Sequence, residues 1–153
     1  MGGSSSKDIK VLLLGISAVG KTKLLYKLKN MDVNTIATIG FIYERIVYKN
    51  IHLDMLELSG ADAVRSLWNK YYDNTRAVIY VIDSSDTSRL DQAKDVLYEL
   101  IQNKSLKDSI FLIYANMQDR SDAIKPQEII DRFKLNEISD RILHVQGASF
   151  TTD

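Results

Sequence analysis

Residues 9–22 read Ile9-Lys-Val-Leu-Leu-Leu14-Gly15-Ile-Ser-Ala-Val-Gly20-Lys21-Thr22. An almost unbroken apolar run, Ile9 to Leu14, passes straight into a loop with glycine at both ends and a Lys-Thr pair behind it. Continuous rather than alternating apolarity suits a strand buried on both faces, as in a parallel sheet. The loop fits the phosphate-binding pattern G-x-x-x-x-G-K-[ST]. Glycines let the backbone wrap close to a phosphate, and consecutive N–H groups and a helix N-terminus then point at the anion. Gly15, Ser17, Ala18, Val19, Gly20, Lys21, Thr22 and Lys23 are therefore candidate phosphate-binding residues. Within the pattern, Lys21 would reach the β- and γ-phosphates and the Thr22 hydroxyl would ligate Mg²⁺.

Outward from this loop, apolar runs alternate with amphipathic stretches. Ala77 to Ile82 and Ile110 to Tyr114 are two more nearly continuous apolar segments of strand length. Between them Leu90, Ala93, Val96, Leu97, Leu100 and Ile101 recur at three- and four-residue spacing, which puts them on one face of a helix. A helix follows Gly20, with Leu24, Leu25 and Leu28 on its inner side. Another starts near Pro126, the only proline, which suits the first turn of a helix; Ile129, Ile130 and Phe133 would be its buried face. Residues 41–48 and 51–57 are β-rich and joined by Lys49-Asn50, a hairpin-length link. Ile51, Leu53 and Met55 alternate with His52 and Asp54, which predicts an antiparallel pair near a sheet edge. A last short strand is expected from Ile142 to Val145. The sum is an α/β three-layer fold, a mostly parallel sheet with one antiparallel edge strand.

The chain has 153 residues, room for one domain with a sizeable core. Lys and Arg number 20 and so do Asp and Glu, so no net charge drives binding to nucleic acid or to a membrane surface. Cysteine is absent, which excludes a disulfide scaffold and a thiolate metal site. No apolar run approaches the roughly 20 residues of a membrane span. His52 and His144 stand apart in sequence, with no spacing that suggests a zinc site. Residues 1–7 are expected to be a flexible leader and 8–153 one domain. Met1-Gly2-Gly-Ser-Ser-Ser6 also fits the N-myristoylation pattern at Gly2, as would a mere flexible leader.

A phosphate-binding loop alone does not separate a kinase from a guanine-nucleotide switch. Asn116-Met-Gln-Asp119, directly after the strand ending at Ala115, bears on that choice. A carboxylate there can accept from both N1–H and the exocyclic amine of guanine, and adenine offers no such donor pair. A strand-end Asx turn would use the same residue types.

Taken with further motifs, the chain resembles the Arf/Arl branch of Ras-like small GTPases over nearly its whole length. The carriers are GKTKLLYKLK from Gly20, Thr35-Ile-Ala-Thr38-Ile-Gly-Phe41 (similar to the family's switch I), Leu67-Trp68 with Tyr71-Tyr72, Val81-Ile-Asp83-Ser, and Gly147-Ala148-Ser149. The resemblance implies a P-loop (Ras-like) G domain that binds GTP or GDP with Mg²⁺ and serves vesicle or membrane trafficking. It would lie in the cytoplasm or peripherally on an endomembrane. Thr38 would bind Mg²⁺ and the γ-phosphate, and Gly60 would donate its N–H to the γ-phosphate. Lys21, Thr38 and Gly60 would be the catalytic set, and Thr22, Thr38 and Glu57 the metal set. Asn116, Met117, Asp119 and Ala148 would hold the base, with the Ala148 N–H on guanine O6. Phe41, Leu56 and Tyr71 would meet effector, exchange-factor or GTPase-activating proteins, and residues 41–57 would be the segment that moves between nucleotide states.

Departures from the family pattern carry equal information. Its D-x-G-G-Q is Glu57-Leu-Ser59-Gly60-Ala61 here. Ala61 stands where a glutamine orients the attacking water, and a methyl group cannot fill that role. Glu57 is one methylene longer than the family's aspartate, and Met117 replaces the lysine of N-K-x-D. These changes predict slow GTP hydrolysis, or a non-hydrolysing nucleotide-bound scaffold. Asp153 falls where the family continues with a final helix packed on the sheet. Either the natural chain runs on, or one sheet face is left partly open.

Overall fold

The computed structural model of the chain describes residues 7–16, 19–28 and 41–149. The opening apolar run becomes β1 (Lys7–Leu14), and the Lys-Thr pair starts α1 (Lys21–Leu28). The hairpin follows as β2 (Phe41–Tyr48) and β3 (Ile51–Leu58). A short α2 (Asp62–Arg65) and a 3-10 turn (Trp68–Tyr71) lead into β4 (Ala77–Asp83). Then come α3 (Leu90–Gln102), β5 (Ile110–Asn116), α4 (Pro126–Phe133) and β6 (Leu143–Gly147).

The strands form one sheet in the order β2-β3-β1-β4-β5-β6. Only β2 runs antiparallel to its neighbour, β3; the other four pairings are parallel. This is the mostly parallel α/β sheet with one antiparallel edge that the pattern predicted. The chain leaves β1 toward β3 on one side and returns to β4 on the other. In such sheets ligands bind outside the carboxyl ends of the strands where the order diverges. Gly15 and Asn116 both stand at carboxyl ends of strands, those of β1 and β5.

Leu12, Leu13 and Leu14 of β1 are fully buried, as a central strand covered on both faces requires. All six residues of the α3 stripe are buried, and the Tyr80 phenol donates to Ala93 O at 2.7 Å, tying β4 to that helix. Pro126 takes the first turn of α4, and Ile129 and Phe133 are its buried residues. The side chains of Leu25 and Leu28 lie outside the described residues.

Some boundaries differ from the sequence reading. β1 begins at Lys7, two residues before the apolar run, because Lys7 and Asp8 pair with Ile51 and His52 of β3. The last strand is Leu143–Gly147 rather than Ile142–Val145: the register with β5 runs from Phe111↔Leu143 to Ala115↔Gly147. The Ile142 side chain is 65% exposed. β5 is also not buried on both faces. Phe111 and Ile113 are fully covered, whereas Leu112 and Tyr114 on the opposite face are half-buried and Ile110 is exposed. Among the described residues, no helix is long and apolar enough to cross a membrane.

Candidate functional site

The phosphate loop leaves β1 at a glycine for a reason visible in the backbone. A Cβ on Gly15 would stand 2.7 Å from Val81 O and 3.1 Å from Val19 Cγ2. The loop therefore lies directly on the end of β4, closer than any side chain would allow. Gly20, at φ 101°, turns the chain into α1. Ser17 and Ala18 lie outside the described residues.

Lys21, at the start of α1, is buried, and its Nζ donates to Gly15 O at 3.0 Å and Ile16 O at 2.8 Å. The ammonium is thus folded back over the loop it follows. Burial lowers its pKa to about 8, opposed by the attraction of Glu57 and assisted by Arg89 and Arg65. A lysine so poised gains charge stabilisation from an incoming anion. The next residue, Thr22, donates its hydroxyl to both oxygens of the buried Glu57 carboxylate, at 2.9 and 2.7 Å. The extra methylene of Glu57 therefore does not withdraw the carboxylate from the threonine. The Thr22 hydroxyl and the Glu57 carboxylate thus stand side by side as oxygen donors. Two hard oxygen donors beside a phosphate loop fit Mg²⁺, which binds through few protein ligands plus phosphate and water. Among the described residues no cluster of three or more His, Cys, Asp or Glu gathers elsewhere as a metal site.

The loop expected to hold the base is built on the ends of β5 and β6. Asn116 is fully buried and donates from Nδ2 to Val19 O at 2.8 Å, joining this loop to the phosphate loop. Met117 follows at φ 65°, a left-handed turn that redirects the chain. Gln118 N–H then donates to Ala148 O at 3.0 Å. Asp119 is exposed, and its Oδ1 accepts from the Ser149 hydroxyl at 2.7 Å, which holds the carboxylate in place. The Ala148 N–H donates to Ala115 O at 2.9 Å, so a guanine O6 would compete with that bond.

Glu57 and Ser59 to Ala61 leave β3 beside Thr22. Trp68 Nε1, buried, donates to Ser59 O at 2.8 Å, and Arg65 Nη1 donates to Gly60 O at 3.1 Å. The Ala61 N–H reaches Ser59 Oγ at 3.3 Å. Asp62, the nearest carboxylate to Ala61 in sequence, accepts from Arg65 at 2.5 Å and from Gln92 at 3.3 Å. On the outer face of the hairpin the Phe41 and Tyr71 rings meet at 5.9 Å between centroids, tilted 46°. Phe41 is 53% exposed, and Leu56 pairs with the exposed Tyr43. Thr35, Thr38 and Gly2 lie outside the described residues.

Other contacts were invisible in the sequence. His52, solitary there, lies 3.0 Å from Asp8 Oδ1 and 3.4 Å from Arg45 Nη1. Arg45 also donates to both oxygens of Asp54, at 2.7 and 3.1 Å, and Tyr43 donates to Oδ1 at 2.7 Å. The Arg45 hydrogen bond above all holds the Asp54 carboxyl below the usual range. This network crosses β2, β3 and β1 and pins their register.

The model of the ADP-ribosylation factor family matches residues 1–153. The chain is 44% identical over 149 residues to ADP-ribosylation factor-like protein 5 of Dictyostelium discoideum, covering 97% of this chain and 81% of that protein. Its fold is similar to that of the Arl6 (BBS3) small GTPase of Trypanosoma brucei, solved with the bound nucleotide analogue GppNp. That match has a TM-score of 0.87 at 26% identity, covering 94% of this chain and 87% of the other.

Proposed function

The chain belongs to the ADP-ribosylation factor family, and on that premise we propose that it is a guanine-nucleotide switch that binds GTP or GDP with Mg²⁺ and hydrolyses GTP slowly. One observation carries this reading: the Asn116 to Val19 hydrogen bond, 2.8 Å long, which unites a phosphate loop and a carboxylate-bearing base loop at the carboxyl ends of the strands. In the bound state Asp119 accepts from guanine N1–H and the exocyclic amine, with Ser149 holding the carboxylate. Lys21 leaves the carbonyls of Gly15 and Ile16 for the β- and γ-phosphates. Gly60 N–H and Thr38 take the γ-phosphate.

Thr22 and Glu57, with Thr38, would hold Mg²⁺, which when bound neutralises charge on the β- and γ-oxygens. In hydrolysis a water oxygen forms the new bond to the γ-phosphorus while the bond to the bridging oxygen of the β-phosphate breaks. Catalysis is positioning plus electrostatics. Lys21 and the Gly60 amide supply charge stabilisation from the protein. Positioning of the water is deficient, because Ala61 offers only a methyl group and Asp62 is engaged by Arg65 and Gln92. That same observation favours a second reading, a nucleotide-bound scaffold that does not hydrolyse. Phe41, Leu56 and Tyr71 would present the nucleotide state to effector, exchange or GTPase-activating proteins in membrane trafficking. An acylated Gly2 would add only weak, reversible attachment, because one myristoyl chain binds membranes marginally. The protein then works in the cytoplasm or at the periphery of an endomembrane.

Two measurements test the proposal. Titration calorimetry in Mg²⁺ should show GDP binding and no comparable ADP binding; equal affinities would overturn the guanine assignment. Single-turnover hydrolysis of GTP-loaded protein separates the two readings, a slow but finite rate supporting the switch and none supporting the scaffold.

A further inference from the structure

Gly60 is buried, and among the described residues no protein oxygen accepts from its N–H. A buried amide of this kind requires a partner. Its direction is set by the peptide that carries it. In a trans peptide the C=O and the following N–H point to opposite sides of the chain, and no cis peptide occurs among the described residues. The C=O of the Ser59–Gly60 peptide is held at 2.8 Å by the indole N–H of Trp68. The indole nitrogen carries one hydrogen, fixed in the plane of a rigid ring, and has no capacity to accept. Trp68 is itself 4% exposed and belongs to the buried core, so the ring cannot swing to follow the peptide. The peptide after it is fixed as well, by Arg65 on Gly60 O and by Ser59 Oγ on the Ala61 N–H.

We propose that Trp68 is a positioning residue for the nucleotide: by pinning the Ser59 carbonyl it aims the Gly60 N–H at the γ-phosphate, and so sets the preference for GTP over GDP. The inference rests on the reading of Gly60 as the γ-phosphate donor. It differs from a packing role, in which the indole N–H merely satisfies itself inside the core. Packing affects both nucleotides alike. Aiming one amide affects only the nucleotide that has a γ-phosphate.

The test uses Trp68→Phe, which keeps an aromatic ring and removes the donor. Affinities for GDP and for GppNp are measured by titration in Mg²⁺, with thermal unfolding alongside. GDP affinity should stay within about twofold, and GppNp affinity should fall about tenfold, the worth of one charge-assisted hydrogen bond. Equal weakening of both nucleotides, or no change in either, overturns the proposal. If wild-type protein binds neither nucleotide, the reading of the site fails, which is a different result. Should Trp68→Phe not fold, wild-type protein decides. The chain has one tryptophan, so its indole N–H gives a single, assignable resonance. That resonance should shift when GppNp replaces GDP, and an unmoved resonance overturns the proposal.

Discussion

Asn116→Ala removes a side-chain bond that joins the two halves of the candidate site. The residue is fully buried and its amide donates to Val19 O at 2.8 Å. Truncation leaves the Val19 carbonyl short of a donor, at a cost of about 1–3 kcal/mol. The vacated carboxamide volume adds roughly 1 kcal/mol more, because a buried site collapses only partly. Each kcal/mol lowers the melting temperature by about 2–4 °C in a domain of this size. A fall of roughly 5–15 °C is therefore expected in thermal unfolding of the nucleotide-free protein. Saturating ligand stabilises by RT ln(1 + [L]/Kd), and each tenfold loss of affinity removes about 1.4 kcal/mol of that. The rise in melting temperature on adding GDP and Mg²⁺ should shrink as well, since the loop that Val19 belongs to has lost its brace. Asn116→Asp fills the same volume but sets a carboxylate against the carbonyl, and should be worse than alanine. An Asn116→Ala protein that melts within a degree of wild type, with its GDP response intact, would refute the reasoning.

Further expectations concern the same site. Burial pushes the Lys21 ammonium down to about 8 from its ordinary 10.5. The unfolded state thus binds more protons between these values, so the penalty for burying the charge is full below pH 8 and relieved as pH rises toward 10.5. Stability of ligand-free wild type relative to Lys21→Met should rise across that window, as urea titrations at stepped pH would show. A bound polyanion restores the charge, so GDP binding at pH 8 should take up about half a proton, readable by calorimetry in buffers of different ionisation enthalpy; no buffer dependence would count against it. Asp119→Asn should weaken GDP binding by about 1–3 kcal/mol, the cost of guanine donors left without their carboxylate. Ala61→Gln should raise single-turnover GTP hydrolysis from below the roughly 3–5 × 10⁻⁴ s⁻¹ reference rate of small GTPases. If wild type already reaches that rate and the variant adds nothing, another group positions the water.

The fold was readable from residues 9–22 and the apolar runs because burial on both faces leaves a continuous apolar signature. The candidate site was legible as an expectation where chemistry demands residue types at fixed spacing, as in Gly15 to Thr22. What the sequence hid was pairing across distance. Nothing local shows that Asp8 meets His52 or that Ser149 holds Asp119, since both need the strand pairing first, and the Trp68 bond to the Ser59 carbonyl needs the path of the loop between them. Ile142 and Ile110 misled for the opposite reason, since an apolar residue at a strand end reads the same whether covered or not. The hairpin pattern worked because Met55 and His52 lie on opposite faces of β3, and period two reports faces directly.

The bond between Asn116 and Val19 spans 97 residues of sequence. In the time course of folding this makes the phosphate loop a late structure. Its motif is complete once residue 22 has been made, but its brace is not available until β5 has docked on β4. Closing so long a segment costs entropy before any contact repays it, although the cost grows only logarithmically with length. A growing or truncated chain that ends before residue 116 would carry the whole signature and lack this brace. Tight nucleotide capture would then report that the far side of the sheet is in place, and an excess of nucleotide during refolding would draw the population toward the completed fold.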